Sequence, residues 1–315
     1  MPSVREIKRP HTHKHAEGVH ALKSRSDIVF ETVVVVLLGL LTLIILYPLY
    51  FVIIASFSEA KLVVAGQVWI YPKGLTLENY MQCFENGDLM LGYRNAFFIM
   101  IMGTATNLVL TILCAYPLSR HDLWGRNAIM LYCTIPMFFG GGLIPTYLLV
   151  TKTLGLKNSW WAVILVAGIA TYNMIIMRTF FMTSIPYELQ EAAQIDGCTP
   201  FGILFRIILP LSIPVICVIG LYYAVNHWNS YFSALIYLPD QKKWPLQLFL
   251  RQILVNNDVS SVDGGASSDE MARRAMRAET IKYAIVILAS IPMLIIYPFV
   301  QRYFVKGVMI GSVKG

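Results

Sequence analysis

The chain has 315 residues, 57% of them apolar and 14% charged, with a mean hydropathy of +0.61. Soluble domains carry roughly 25% charged residues, so this composition excludes a disordered chain, a collagen-like repeat and a small disulfide scaffold, and it argues against a cytosolic enzyme. The net charge of +7, from 25 basic and 18 acidic residues, reads as an orientation signal for a membrane protein rather than as a nucleic-acid footprint.

The chain opens with a polar tail, residues 1–28, carrying Arg5, Lys8, Arg9, Lys14, Lys23 and Arg25. His11, His13, His15 and His20 lie in it. Alternating histidines in a solvated segment lack a supporting carboxylate shell, so no metal site is expected. Six stretches free of Asp, Glu, Lys and Arg follow: Thr32 to Ser58, Asn95 to Ser119, Asn127 to Thr151, Asn158 to Met177, Ile207 to Pro239 and Tyr283 to Gln301. Each is 19 to 33 residues long, and a helix needs ~20 to cross a bilayer core. The expected fold is an all-α polytopic membrane protein with six transmembrane helices. A transmembrane barrel would alternate polarity over segments of ~10 residues, which runs such as Val33–Leu38 do not do. The first stretch is too long for a signal core and no small-x-small cleavage site follows it, so it is expected to remain as a helix.

In the third stretch, Gly140-Gly141-Gly142 lies between Pro136 and Pro145 in apolar surroundings. That context predicts a broken membrane helix rather than a phosphate loop. Asn107 and Asn173 are expected to bond between helices. The cysteines (Cys83, Cys114, Cys133, Cys198 and Cys217) are odd in number and scattered, against a disulfide framework or a metal cluster. With an inner N-terminal tail, that side carries 13 Lys and Arg, against five in the short outer segments. The long outer loop, 240–282, holds seven more, but long loops follow the rule weakly. Both termini are therefore expected in the cytoplasm.

The inner segment 184–210 is the most informative. Ser184 is placed to cap a helix with Pro186 in its first turn, Glu188 to Ile195 are helix formers, and Gly197 is placed to end it in a left-handed conformation. Thr199 then caps a second short helix, Pro200 opens it and Pro210 closes it. Ala192 and Ala193 give one side a nearly flat surface. Two short helices meeting at a glycine corner are expected. In the fifth stretch, Tyr222, Tyr223, Asn226, His227, Trp228, Asn229 and Tyr231 are candidates for lining a translocation path, since polar groups at membrane depth face protein or a wet cavity and aromatic rings with amides suit sugars. The competing reading is an interfacial aromatic belt. In the outer loop, Asp269 to Glu279 is expected to form a surface helix. No G-x-x-x-x-G-K-[ST], H-E-x-x-H or G-x-S-x-G occurs, so no ATP site or catalytic constellation is expected, and no cofactor.

The pattern Glu191, Ala192, Ala193, Asp196, Gly197, Phe205 and Pro210 resembles the cytoplasmic loop of type I ABC importer permeases. Leu77-Glu78-Asn79-Tyr80, Ile144-Pro145-Thr146-Tyr147, Leu154-Gly155-Leu156, Trp228-Asn229 and the ending from Gln301 to Gly315 resemble the MalG-like carbohydrate branch. Phe138 to Leu143 and the long outer loop look like a subgroup for complex or acidic polysaccharide fragments in Gram-positive bacteria. Cys198 stands where the family usually has Ala. The resemblance, from about residue 28 onward, implies a MetI-like permease fold over 29–315 in the cell membrane, forming half of a heterodimeric pore with a second homologous permease. It implies an ATPase dimer, with ATP and Mg on those subunits, docking on 184–210. Glu191 would be the polar anchor, and Gly311, Lys314 and Gly315 in the tail 302–315 would add contacts. An extracellular sugar-binding lipoprotein would deliver an oligosaccharide from above, reached by the outer loop, while the partner permease would make the main sugar contacts. Two rivals stay open. An intramembrane hydrolase would need paired ionisable residues, and only His227 is at hand. A same-fold permease for a peptide, amino acid or ion is disfavoured by the MalG-like stretches.

Overall fold

The computed structural model describes residues 25–85, 87–166, 168–256, 280–298 and 301. The histidines of the N-terminal tail, the Asp269–Glu279 helix and the C-terminal Gly311, Lys314 and Gly315 lie outside the described residues. Among the described residues every regular element is helical. Two units are distinguished, Met1–Tyr50 and Phe51–Gly315.

Helix α1 spans Arg25–Ser56, so the first apolar run takes in the end of the basic tail. All its residues up to Tyr50 are exposed, an apolar surface that only a bilayer or another apolar partner covers. In the second unit Ile54 and Ala55 pack with Val63 of the short α2 (Ala60–Val64) and with Val68. Helix α3 (Glu78–Glu85) follows. Its Asn79 Nδ2 donates to the Ser56 and Ser58 carbonyls at 3.1 and 3.3 Å. The Leu-Glu-Asn-Tyr stretch thus locks the end of α1, and Tyr80 adds a 2.8 Å bond to Ser56 Oγ.

Helix α4 (Gly87–Ser119) is the second long span and the centre of the unit. The next three charge-free stretches are each bent. Helix α5 (Arg126–Phe138) turns by 112° into Leu143–Thr153, made of α6 (Leu143–Leu148) and a π turn. Gly142 at that break has φ +82°, a conformation glycine adopts at little cost, and the helix is broken here as expected. Helices α7 (Trp160–Val166) and α8 (Thr171–Thr183) are bent by 56°. The fifth stretch bends by 83° between Pro200–Leu211 and α12 (Ile213–Trp228). Pro214 stands in the first turn of α12, where its missing N–H costs nothing. Helix α13 (Tyr231–Tyr237) continues past a turn at Asn229. Helix α14 (Leu246–Asn256) follows, and α15 (Thr280–Pro298) is the last span. The six charge-free stretches therefore become three single helices and three bent pairs.

One end of the unit is braced by backbone capture. Asn95 Nδ2, on α4, donates to the Lys242 and Trp244 carbonyls at 2.9 and 3.0 Å, and Trp160 Nε1 donates to the Lys243 carbonyl at 3.0 Å. The other end carries the short helices of 187–211.

Candidate functional site

Segment 184–210 is built as a corner. Helix α9 (Tyr187–Ile195) starts at Pro186, whose ψ of 136° is extended. Ser184 does not cap it: it is the C-cap of α8, because the residue before a proline is pushed out of the helical region and separates the two helices. Asp196 caps the end of α9, and Gly197 follows with φ +79°. Thr199 then caps α10 (Pro200–Ile203), its Oγ1 accepting from Gly202 N at 3.2 Å. A π turn, Leu204–Ile208, and α11 (Leu209–Leu211) complete the second arm. Pro210 does not close this arm, which runs one residue further. The wider hydrogen-bond register of the π turn before it accommodates a residue without an N–H.

Ile185, Ala193, Ile203, Leu204 and Ile208 are buried against Tyr116 and Leu118 of α4 and Phe181 of α8. Each large aliphatic side chain so buried contributes about 1.5–3 kcal/mol relative to exposure in water, which makes the corner rigid. Ala192 and Ala193 do not share a flat face: Ala192 is exposed and Ala193 buried, since adjacent helical residues point about 100° apart. The open side carries Glu188, Leu189, Glu191, Ile195, Phe201 and Phe205. Ile195 is 87% exposed and Phe201 67%. A patch of large apolar groups around two carboxylates is the composition of a docking surface. Asp196, Gly197 and Pro210 are also exposed.

The C-terminal end of α4 fixes this corner from behind. Tyr116 Oη donates to the Pro200 carbonyl at 3.3 Å, and His121 meets Tyr187 edge-on with ring centroids 5.3 Å apart. Arg120 forks onto Asp122, with both bonds at 2.8 Å, and Arg178 Nε donates to the Leu118 carbonyl at 2.8 Å. The Arg120 hydrogen bond holds the Asp122 carboxyl below the usual carboxylate range. Sequence reading missed this brace, because nothing in the 116–122 stretch announces a partner some 80 residues away.

The seven candidate path residues fall on three faces. Tyr222, Tyr223 and Asn226 line a cavity of about 580 Å³ beside the α7–α8 break, together with Tyr172 and Asn173. Tyr223 Oη also bonds Thr111 Oγ1 at 2.7 Å and accepts from Ala170 N at 3.1 Å, so it closes the start of α8. His227 is 1% exposed and lines neither this cavity nor the next. It sits against Gly103, with Asn107 Nδ2 2.9 Å from its Nε2, so Asn107 joins two helices as expected. Trp228, Asn229 and Tyr231 line a second cavity of about 710 Å³ against α14 and α15. Trp228 itself is buried and donates from Nε1 to the Ala289 carbonyl at 3.0 Å. The i, i+4 pair Tyr222/Asn226 was the signal for the first of these faces. No group of three or more metal-ligating side chains occurs among the described residues, and the five cysteines are free thiols.

Comparison with known proteins places this architecture. The polygalacturonan/rhamnogalacturonan transport system permease protein YtcP of Bacillus subtilis is 42% identical over 286 residues, covering 91% of this chain and 98% of that protein. The protein LplC of the same organism is 39% identical over 298 residues, covering 94% and 99%. A crystal structure of a bacterial ABC transporter involved in the import of the acidic polysaccharide alginate has a subunit that superposes with a TM-score of 0.80 at 31% identity, covering 90% of this chain and 99% of that one. Residues 107–310, which hold the corner and the residues of α12 and α13 that line the two cavities, match the family model for the binding-protein-dependent transport system inner membrane component. The chain belongs to that family of ABC transporter permeases.

Proposed function

We propose that this chain is half of a heterodimeric pore that imports oligosaccharides, and that an ATPase dimer docks on the α9–α10 corner while an extracellular binding lipoprotein delivers substrate at the opposite end. Both termini face the cytoplasm, in the cell membrane of a Gram-positive bacterium. The observation that carries the reading is the corner itself: two short helices, rigid through their buried side, presenting Leu189, Ile195, Phe201 and Phe205 around Glu191 at one end of the bundle. Such a seat suits the transmission of displacement by a partner, because a rigid element moves as a body where a loop would absorb the motion. ATP and Mg belong to the docked subunits, since the sequence carries no phosphate-cradling loop. Glu191 anchors the ATPase, and the tail residues Gly311, Lys314 and Gly315 add to the contact. The substrate class is supported by YtcP, named for polygalacturonan and rhamnogalacturonan, and by the alginate importer. Tyr222 and Asn226, with Asn173, supply phenol and amide groups beside a helix break, suited to sugar hydroxyls.

Reconstitution in liposomes tests this. The chain alone is expected to hydrolyse no ATP. Together with a second permease, an ATPase dimer and the binding protein it is expected to couple ATP hydrolysis to uptake of tri-galacturonate. ATP hydrolysis by the purified chain alone, or a complete complex that moves no saccharide, overturns the reading.

A further inference from the structure

The larger cavity, about 710 Å³, lies where the turn after α12, helix α14 and helix α15 meet. Its wall combines three chemistries. Trp228 and Tyr231 bring aromatic rings, and Asn229, Gln247 and Ser290 bring amide and hydroxyl groups. Arg251 brings a full positive charge, and among the described residues no acidic side chain lines the cavity. Gln247 and Arg251 are one helical turn apart on α14, so they address the same space. Arg251 has no hydrogen-bond or ion-pair partner among the described residues. Arg251 is exposed, so its guanidinium is accessible to an incoming anion. Its planar fork matches a carboxylate with two parallel hydrogen bonds.

We propose that this cavity is a subsite for a carboxylated sugar unit of the transported oligosaccharide. Arg251 binds the carboxylate, Tyr231 packs on the ring face, and Asn229 and Gln247 hydrogen-bond the ring hydroxyls. Among the described residues the cavity beside Tyr222 and Asn226 is lined by no cation, so of these two cavities the acid function is read at the one that holds Arg251. The subsite makes the permease, and not only the binding protein, selective for uronates. It rests on the oligosaccharide-import reading above.

The test compares wild-type, Arg251→Met and Arg251→Lys complexes, reconstituted with the partner permease, ATPase and binding protein. Uptake of α-1,4-tri-galacturonate is measured against uptake of its fully methyl-esterified form. Arg251→Met is expected to raise the half-saturating concentration for the free acid about tenfold, the weight of one charge-assisted pair, and to leave the ester unchanged. Arg251→Lys is expected to fall between, having the charge without the fork. Equal effects on acid and ester, or none on either, overturn the subsite while leaving the import reading intact. Wild-type complexes that take up neither saccharide overturn both. The assay is run in phosphatidylcholine vesicles with and without phosphatidylglycerol, because a lipid phosphate is the other anion within reach. An acid-specific defect present in both supports the sugar subsite, and a defect seen only with anionic lipid assigns Arg251 to the headgroup and overturns it.

Discussion

Replacing Gly103 by alanine tests the packing at the centre of the helical unit. A Cβ on Gly103 would stand 2.5 Å from His227 Nε2 and 2.7 Å from both Cδ2 and Cε1. These distances are far inside van der Waals contact, and His227 is 1% exposed, so the ring has little room to retreat. Overpacking of this kind costs about 1–3 kcal/mol. Moving the ring also lengthens its 2.9 Å bond to Asn107 Nδ2, and leaving buried polar groups unsatisfied adds about 1–3 kcal/mol. The combined loss of about 2–6 kcal/mol corresponds to a drop of roughly 5–15 °C in melting temperature for a chain of this size. Scanning fluorimetry of the purified protein in detergent reads it directly. Adding His227→Ala to Gly103→Ala removes the clashing ring and is expected to recover part of the loss, a coupling visible only in the double mutant. A Gly103→Ala protein melting within about 1 °C of wild type, or a double mutant no more stable than the single, refutes the reasoning.

Tyr223→Phe removes the hydroxyl that bonds Thr111 and accepts from Ala170 N; a loss of about 1–3 kcal/mol in thermal or denaturant unfolding is expected. Thr199→Ala deletes the cap on α10 and should cost about 1 kcal/mol, with Thr199→Ser restoring it in the same melt. Burial pushes the Cys83 thiol, on the short helix α3 between the first two spans, up to about 11. It is expected to resist iodoacetamide at pH 8 in the folded protein and to react once unfolded, as read by mass spectrometry. Because the folded pKa is the raised one, this thiol's contribution to stability is intact below about pH 9 and declines as the pH rises from there toward 11.

The charge-free stretches and the glycine corner were legible because each is a local property. Absence of charge over 19 to 33 residues marks a span, and Gly197 and Thr199 declare a turn and a cap by side-chain chemistry alone. The break at Gly142 was legible for the same reason. The bends at Ser212 and between α7 and α8 were not. The first follows an arm that contains a π turn at Leu204–Ile208, and the second is closed by a hydroxyl from Tyr223, 53 residues from Ala170. The seven polar residues of the fifth stretch read as one cluster in sequence, but helical periodicity turns them onto separate faces. Arg251 and Gln247 escaped notice because their loop reads as an outer linker, and only the packing of α14 against α15 brings them to a cavity wall. The brace behind the corner likewise depends on contacts between residues distant in sequence, such as Tyr116 with Pro200.

The docking of an ATPase on the α9–α10 corner is the central claim, and Gly197→Asp with Glu191→Ala tests it most directly. No atom lies within 4 Å of a Cβ built on Gly197, and Asp tolerates positive φ better than most residues. The folded chain should therefore accept Gly197→Asp while a docked partner should not. Complex assembly, ATP hydrolysis and saccharide uptake are scored separately in reconstituted liposomes. The account predicts normal membrane insertion for both variants, a normal melt for Glu191→Ala and a melt lowered only by the ~1 kcal/mol strain of a side chain at positive φ for Gly197→Asp, with uptake lost through weakened ATPase docking or uncoupled hydrolysis. Wild-type uptake by both variants would contradict it.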